Sequence, residues 1–234
     1  MAEKHVQVAG PEQAPKPTVF FETAIVISLA ASVLSLFLFA WLGREILQGD
    51  TFRFDAAIRG WVHQFASPGM TRVMNAVSLM GYNILIVELV VAFLVFAWLR
   101  WRRAAVWRAV AMTGSLTLDL TLKYAYHRQR PSAFFGVSPH TYSFPSGHAL
   151  GSLCFYGVMA GLLSARIKST PWKVLLWTVA VLLIMAIGLS RIYLGVHYPS
   201  DVLAGYLAAT VWVGAVIVLD HARKIRSSTA RAKK

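Results

Sequence analysis

Charge and cysteine are both scarce in this sequence. Only 14% of the 234 residues are charged, whereas 57% are hydrophobic. Because soluble domains carry about 25% charged residues, this composition excludes an ordinary water-soluble domain. It indicates a protein that crosses a membrane several times. The single cysteine, Cys154, excludes an intrachain disulfide and gives no indication of the compartment.

Among the charged residues, the acidic ones are in the minority. Ten Asp and Glu stand against 23 Lys and Arg, which gives a net charge of +13. Such a charge is also typical of nucleic-acid-binding proteins. Here, however, most of the basic residues flank apolar runs, where they orient a membrane protein. We therefore expect membrane lipids as partners and no nucleic acid, and the sequence leaves the oligomeric state open.

Six apolar runs follow a polar N-terminal tail, and each is about 20 residues long, enough for a helix to cross the bilayer. The predicted spans are Thr23–Leu42, Ala76–Leu99, Val106–Tyr126, Ser146–Ala165, Val174–Leu194 and Val202–Leu219. The prediction is an all-α fold, a six-transmembrane-helix bundle at 20–220. A flexible cytoplasmic tail at 1–19 and a basic cytoplasmic tail at 221–234 flank it. We interpret the first run as an uncleaved anchor.

The basic residues also predict the orientation of the bundle. They collect in the tails and in the loops at 100–103 and 166–173, and Arg108 lies close to the same side. The positive-inside rule places that side in the cytoplasm. We therefore expect a multi-pass protein of the bacterial inner membrane, with both termini cytoplasmic and the other loops facing the exterior.

One segment, Asp50–Phe65, differs from the predicted spans. Phe54, Trp61 and Phe65 follow helical spacing, while charged residues occupy the remaining face. This pattern predicts an amphipathic helix that lies in the outer interface between spans 1 and 2. It is either a lid or lipid access ramp or a connector that covers the bundle, and we favour the connector.

The chemistry-bearing residues form three short clusters, each at or near the end of a predicted span. They are Lys123 with Arg130 and Pro131; Pro145, Ser146, Gly147 and His148; and Ser190, Arg191, His197 and Asp201. Too few residues separate Arg130 from His148 to cross the membrane as a helix. The segment from His148 to His197 is long enough to cross the membrane once and to return by a second span. All three clusters therefore return to the same membrane face.

This set of residues suits the binding of a phosphate group. Lys123, Arg130 and Arg191 supply positive charge without a metal ion, and arginine matches the geometry of phosphate oxygens. The sequence around Ser146 and Gly147 is typical of a helix start, where open N–H groups favour an anion. Catalysis of phosphoryl transfer consists largely of such positioning and charge stabilisation.

The spacing of His197 and Asp201 indicates an activated imidazole. A carboxylate on one ring nitrogen fixes the tautomer and leaves the other nitrogen free to attack. We therefore assign His197 as the nucleophile that forms a phosphohistidine, Asp201 as its orienting group and His148 as the general acid and base. No cofactor is expected. Three nearby cations would repel a divalent metal, and Ser146 lacks the Gly-x-Ser-x-Gly context of a serine hydrolase.

The pattern Lys-x6-Arg-Pro, Pro-Ser-Gly-His and Ser-Arg-x5-His-x3-Asp resembles the type 2 phosphatidic acid phosphatase superfamily. The family's active site is related to that of vanadium haloperoxidases. The match runs from Lys123 to Asp201 without a departure at any motif position. The resemblance implies a six-span layout, His197 as nucleophile, His148 as acid and Asp201 as support. It implies phosphate contacts from these residues: Lys123, Arg130, Ser146, Gly147 and Arg191.

The expected function is a metal-independent integral-membrane lipid phosphatase acting at the outer face of the membrane. The resemblance offers undecaprenyl diphosphate, phosphatidylglycerophosphate, phosphatidic acid and lipid A 1-phosphate as substrates. We favour undecaprenyl diphosphate or a broad specificity. A lipid phosphotransferase stays open as the main alternative. A transporter or other non-catalytic lipid-binding protein does not explain the histidine–carboxylate pair, and the spans argue against a haloperoxidase.

Other polar residues receive weaker interpretations. Asp119, four residues before Lys123, is expected to pair with it along one helix face, either to hold the lysine or for structure alone. Glu88 is expected to face the bundle interior, as a hydrogen-bonded packing residue rather than a proton relay or head-group contact. Four loop residues are assigned ordinary loop roles rather than the tuning of phosphate binding: His127, Arg128, His140 and Tyr142.

Overall fold

The apolar runs fold into helices, and no strand occurs among residues 19–81, 83–136 and 138–232, which the computed structural model describes. The helices are α1 (Val19–Gln48), α2 (Phe52–His63), α3 (Pro68–Met80), α4 (Asn83–Trp98), α5 (Arg102–Tyr126), α6 (Gly147–Ser152), α7 (Val158–Ser164), α8 (Thr170–Tyr193) and α9 (Pro199–Ala232). A π-helical turn, Leu153–Gly157, joins α6 to α7. Residues 1–18 of the tail predicted at 1–19, together with the last two residues, lie outside the described part.

Four stretches of the described chain are long and apolar enough to cross a membrane. They are Ile25–Gln48, Gly147–Ser164, Thr170–Tyr193 and Pro199–Arg223. These stretches coincide with predicted spans 1, 4, 5 and 6. That α4 and α5 also cross the membrane stays a prediction, because the described apolar part of α4 is short (Val87–Trp98) and α5 carries several charged and hydroxyl side chains.

The prediction of one continuous helix over Ala76–Leu99 is wrong. Helix α3 ends at Met80, the chain turns at Gly81, and α4 begins at Asn83. A Cβ atom at Gly81 would lie 2.6 Å from Cγ2 of Ile187 and 2.8 Å from Cδ2 of His148. The break therefore brings the backbone against α6 and α8 at a point where only glycine fits.

Helix α3 has a start signal that the sequence reasoning did not use. Ser67 is the N-cap, and its side chain accepts a hydrogen bond from the amide of Met70 at 3.2 Å. Pro68 follows at the first helical position, where its missing N–H costs nothing. The Ser-Pro pair thus separates α3 from α2 and leaves α3 free to pack against α8.

The segment predicted as amphipathic does form a helix, α2, and its exposed face is aromatic. Phe54, Trp61 and Phe65 are 45%, 60% and 56% exposed, whereas Asp55 and Val62 are buried. The face that contacts the protein is therefore mixed in character and includes a carboxylate. The interfacial position of this helix stays a prediction.

The crossing of α5 and α9 fixes the distance between two of the clusters. Trp212 of α9 lies directly over Gly114 of α5 and donates from Nε1 to the carbonyl of Ala111 at 2.9 Å. A Cβ atom at Gly114 would lie 1.9 Å from the Trp212 ring. The same two helices carry Lys123 and Asp201, so this close approach helps to set the distance between these two residues.

We predict that Gly114→Ala lowers the free energy of unfolding by about 1–3 kcal/mol, because the added methyl group forces the two helices apart. Thermal unfolding in detergent measures this effect. Gly161→Ala in α7 is the matched control, since nothing lies within 4 Å of its Cβ position. It should leave the midpoint unchanged or raise it slightly. Equal midpoints for the two variants would contradict the packing role of Gly114.

Candidate active site

The three clusters meet at one end of the bundle, and hydrogen bonds join them directly. Arg130 donates from Nη1 to Nε2 of His197 at 2.9 Å, which links the first cluster to the third. Lys123 donates from Nζ to the carbonyl of Pro145 at 2.9 Å, and the amide of Ser146 donates to the carbonyl of Asp201 at 2.9 Å. The second cluster therefore contacts both of the others.

The loop after α5 is shaped by a left-handed residue. His127 caps the helix with φ of 50° and ψ of 27°, and its amide donates to the carbonyl of Lys123 at 3.1 Å. Histidine is among the non-glycine residues that adopt this conformation most readily. The cap turns the chain sharply, so that Arg128 leaves the axis of α5 and points toward the start of α9.

Lys123 is held in place by two acceptors. It is 7% exposed and pairs with Asp119, one helical turn earlier, in addition to the Pro145 carbonyl. The expected pairing along one helix face is therefore present. A Cβ atom at Gly147 would lie 2.9 Å from Oδ2 of Asp119, so the lysine–aspartate pair contacts the start of α6 where only glycine fits.

Ser146 lies behind the other residues of its cluster. It is completely buried, its amide is engaged by Asp201, and its hydroxyl has no hydrogen-bond partner among the described residues. Gly147 and His148 instead line a cavity. Of the two residues expected at this helix start, Gly147 is therefore the one that reaches the cavity.

His197 is almost fully buried, at 2% exposure. Since a guanidinium group can only donate, the hydrogen bond from Arg130 makes Nε2 the acceptor and places the ring proton on Nδ1. Nδ1 lies 3.5 Å from Oδ2 of Asp201. The carboxylate therefore faces the nitrogen that the sequence analysis expected, at a distance longer than a good hydrogen bond.

The electrostatic surroundings keep the imidazole of His197 neutral. Burial lowers its pKa well below the usual value, and the charges of Arg130, Arg191 and Lys123 lower it further. A neutral imidazole with a free electron pair is the form that can attack phosphorus.

His148 and Arg191 complete the group of side chains around the cavity end. Arg191 is 8% exposed and donates from Nη1 to the hydroxyl of Ser78 on α3. His148 is half-buried beside Gly81 at the break between α3 and α4. Ser78 is a site neighbour that the sequence reasoning missed, because the contact exists only if α3 and α4 are separate helices.

A cavity of about 920 Å³ extends from these polar groups into the bundle. Its polar end is formed by five side chains of the three clusters: Lys123, Arg130, His148, Arg191 and His197. Beyond them the wall is largely apolar and comes from α4 and α5, including Leu89, Phe93, Met112 and Leu116. The arrangement suits a molecule with an anionic head and a hydrocarbon tail.

A buried network behind His197 includes two residues to which the sequence analysis gave no site role. Arg128 donates to Oδ1 of Asp201 at 2.5 Å and to Oδ2 of Asp55 at 2.7 Å. Asp55, on α2 and 1% exposed, also accepts from the amide and the hydroxyl of Ser200 at 2.9 and 2.7 Å. The amide of Tyr198 donates to Oδ2 of Asp201 at 2.9 Å. Helix α2 is thereby tied to the start of α9.

The assignment of Arg128 to an ordinary loop role is therefore wrong. The available signals were weak: Asp55 is the only acid inside α2, and Arg128 lies between two matched motif positions. Their partners are 73 and 145 residues away along the chain, beyond the reach of any local pattern.

The structure also shows the surroundings of the other polar residues to which the sequence analysis gave weaker interpretations. Glu88 accepts a hydrogen bond from the hydroxyl of Tyr156 at 2.8 Å. Tyr142 packs edge-on against His127, and His140 is exposed. Within the described residues, no group of three His, Cys, Asp or Glu side chains is arranged to hold a metal ion.

We predict that Asp55→Asn destabilises the protein by about 3–5 kcal/mol, because it removes one partner of a buried charge pair. It should also lower kcat more than it changes KM, since the network positions Asp201 behind His197 without contacting the cavity. Thermal unfolding and steady-state kinetics in detergent measure the two effects. Asp50→Asn, on an exposed carboxylate just before α2, is the control. A stability equal to that of wild type would show that the network is dispensable.

The comparisons with known proteins agree with this geometry. Phosphatidylglycerophosphatase B of Bacillus subtilis is 30% identical over 183 residues, which cover 74% of this chain and 87% of that protein. An undecaprenyl-diphosphatase of Sulfolobus acidocaldarius is 29% identical, over 49% of this chain and 53% of that protein. A lipid A 1-phosphatase of Rhizobium etli is 32% identical, over 53% and 52%.

Solved structures show the same fold. A transmembrane PAP2-type phosphatidylglycerolphosphate phosphatase from Bacillus subtilis superposes with a TM-score of 0.72 at 25% identity, covering 81% of this chain and 96% of that one. LpxE of Aquifex aeolicus superposes with a TM-score of 0.54 at 20% identity, covering 70% and 93%. The sequence pattern of the PAP2 superfamily matches residues 104–225, the stretch that holds all three clusters. The resemblance seen in the motifs is thus confirmed, and the chain belongs to the PAP2 superfamily of membrane phosphatases.

Proposed function

We propose that this protein hydrolyses a phosphomonoester or pyrophosphate of a membrane lipid through a phosphohistidine intermediate on His197, without a metal ion. One observation carries the proposal: three cations and two histidines line one end of a cavity whose remaining wall is largely apolar. The phosphate would occupy the charged end, and the lipid tail would lie between α4 and α5. The relatives named for lipid phosphatase activities support this assignment.

Substrate binding frees the nucleophile. In the structure Arg130 donates to the very nitrogen that would attack, Nε2 of His197. A phosphate oxygen is a stronger acceptor for a guanidinium than a neutral imidazole is. The incoming dianion therefore takes over this donor, with Lys123 and Arg191 binding the other oxygens, and leaves the Nε2 electron pair facing phosphorus.

The reaction then proceeds in two steps. The bound dianion offsets the surrounding cations, so that His148 takes up a proton. In the first step, a bond forms between Nε2 of His197 and phosphorus, the bond from phosphorus to the lipid oxygen breaks, and His148 gives its proton to that oxygen. In the second, neutral His148 takes a proton from water, the water oxygen bonds to phosphorus, and the phosphorus–nitrogen bond breaks. Inorganic phosphate leaves, and both histidines return to their starting forms.

Asp201 acts on His197 through Nδ1. As Nε2 bonds to phosphorus, the ring becomes positively charged and its Nδ1–H becomes a stronger donor. The carboxylate 3.5 Å away then stabilises that charge. Arg128 and the Tyr198 amide hold the carboxylate in position for this task.

We further propose the membrane arrangement expected from the sequence: six spans, both termini cytoplasmic, and the site at the outer face of a bacterial inner membrane. The exposed aromatic face of α2 supports a position in the outer interface, where such side chains collect. Of the two options that the sequence leaves, undecaprenyl diphosphate alone or a broad specificity that includes it, we propose the broad specificity. The wall between α4 and α5 is largely hydrocarbon, which accommodates different tails, and Arg108 is the cation within it.

We predict that the purified protein releases phosphate from at least one detergent-solubilised lipid in a panel of lipid diphosphates and lipid phosphomonoesters. EDTA should leave the rate unchanged. His197→Ala should lower it at least about 10³-fold, because the covalent route is lost. Phosphate release at a fixed lipid concentration measures both effects.

His140→Ala is the control, since His140 is exposed in the loop beside the site and does not line the cavity. Release that survives in His197→Ala would contradict the nucleophile assignment. Release that appears only when an acceptor lipid is added would replace the hydrolase with a phosphotransferase.

A further inference from the structure

A further cation, Arg108 of α5, lies deep in the same cavity. Arg108 is 1% exposed, and none of its three guanidinium nitrogens has a hydrogen-bond partner among the described residues. Its guanidinium carbon lies 3.7 Å above the ring of Phe155. The sequence analysis placed Arg108 close to the basic side of the bundle. The structure shows that its side chain is buried inside the bundle, so charge in a loop does not explain it.

The neighbouring residues stabilise the positive charge of Arg108 but accept no hydrogen bond from its N–H groups. Glu88 is close enough to attract the guanidinium, but it forms no ion pair with Arg108, and its carboxylate accepts from the Tyr156 hydroxyl instead. The ring of Phe155 interacts with one face of the guanidinium. The N–H groups around its edge, which are five donors in an arginine, are buried and have no acceptor among the described residues. An acceptor that reached this depth of the cavity would satisfy them.

Arg108 and the phosphate site belong to one cavity. The same wall includes His148, His197 and Arg191 at one end and Arg108 farther in. Phe155, which marks the depth of the guanidinium, follows His148 by seven positions along one nearly continuous helix. At about 1.5 Å per residue this is a depth of about 10 Å below His148, the proposed general acid.

That depth matches a feature of ester-linked glycerophospholipids. Seven bonds lead from the phosphorus of a phosphatidic acid to the carbonyl oxygen of its terminal acyl ester. At about 3.5 Å for every three bonds of an extended chain, they reach about 8 Å, and a hydrogen bond adds about 2.9 Å. A polyprenyl diphosphate has only hydrocarbon at this depth.

We propose that Arg108 is a second recognition point of the site, which donates hydrogen bonds to acyl ester carbonyl oxygens about 10 Å below the cleaved phosphate. This inference rests on the proposed phosphatase function and ranks the substrates within it. Lipids with ester carbonyl oxygens at that depth accept hydrogen bonds from the buried guanidinium group of Arg108. Lipids with a bare hydrocarbon chain leave it unsatisfied, which makes them poorer substrates.

The sharpest test compares two substrates that differ only in these oxygens: dioleoyl phosphatidic acid and its dioleyl ether analogue, which has no carbonyl groups. Wild type should hydrolyse the ester with a kcat/KM at least about tenfold higher, as expected for a hydrogen bond to a charged group. Arg108→Met, which keeps much of the side-chain length, should bring this ratio close to one. The same variant should keep or raise its rate on a polyprenyl diphosphate.

Arg102→Met is the matched control, because Arg102 lies on the same helix but is exposed and does not line the cavity. It should keep the wild-type ratio. If wild type has an ester-to-ether ratio of kcat/KM near one, the role of Arg108 is overturned without any variant. The role is also overturned if Arg108→Met loses activity equally on all three lipids, since that is the behaviour of a purely structural residue. If wild type hydrolyses none of the three, the proposed phosphatase function fails, and this inference fails with it.

Discussion

The site depends on holding like charges together in a poorly solvated place. At an effective dielectric constant of about 20, two cations about 8 Å apart repel each other by about 2 kcal/mol. Each cation around the cavity end is therefore anchored separately. Lys123 is held by Asp119 and a carbonyl group, Arg130 by the carbonyl groups of Thr141 and Val196, and Arg191 by the hydroxyl of Ser78. In the proposed mechanism, a phosphate dianion relieves this repulsion when it binds.

The same field determines the protonation of His197, the proposed nucleophile. Burial and the surrounding cations disfavour a proton on its imidazole, so the ring is neutral before substrate binds. In the proposed mechanism, the phosphate takes over the hydrogen bond that Arg130 donates to Nε2. Behind the ring, Asp201 is fixed by Arg128, which is fixed in turn by Asp55 on α2. A helix that the sequence shows only as an amphipathic connector is thus part of the support for His197.

Much of this arrangement follows from simple properties of the chain. The lengths of the apolar runs place Lys123, His148 and His197 at one face before any contact is known, because helices that cross a membrane must end at its surfaces. The four-residue spacing of His197 and Asp201 indicates a carboxylate near an imidazole, although His197 itself lies just before the start of α9. Contacts between distant segments were not predictable. The glycine at 81 looks like any other within an apolar run, and its role appears only when Ile187 and His148 are seen against it. The cavity position of Arg108 was not predictable for a related reason, since a basic residue near a loop has the same local pattern whether its side chain faces water or a cavity.

The central claim is that phosphate passes through His197, and trapping the intermediate tests it most directly. A lipid diphosphate labelled in its terminal phosphate would be mixed with the His148→Ala variant and quenched in alkali, where phosphohistidine survives. The lipid phosphate leaving group needs little help from an acid, whereas the attack of water needs the base. The label should therefore accumulate on the protein, and peptide mass spectrometry should place it on His197. Label on any other residue, or turnover in which no labelled protein ever forms, would contradict the account.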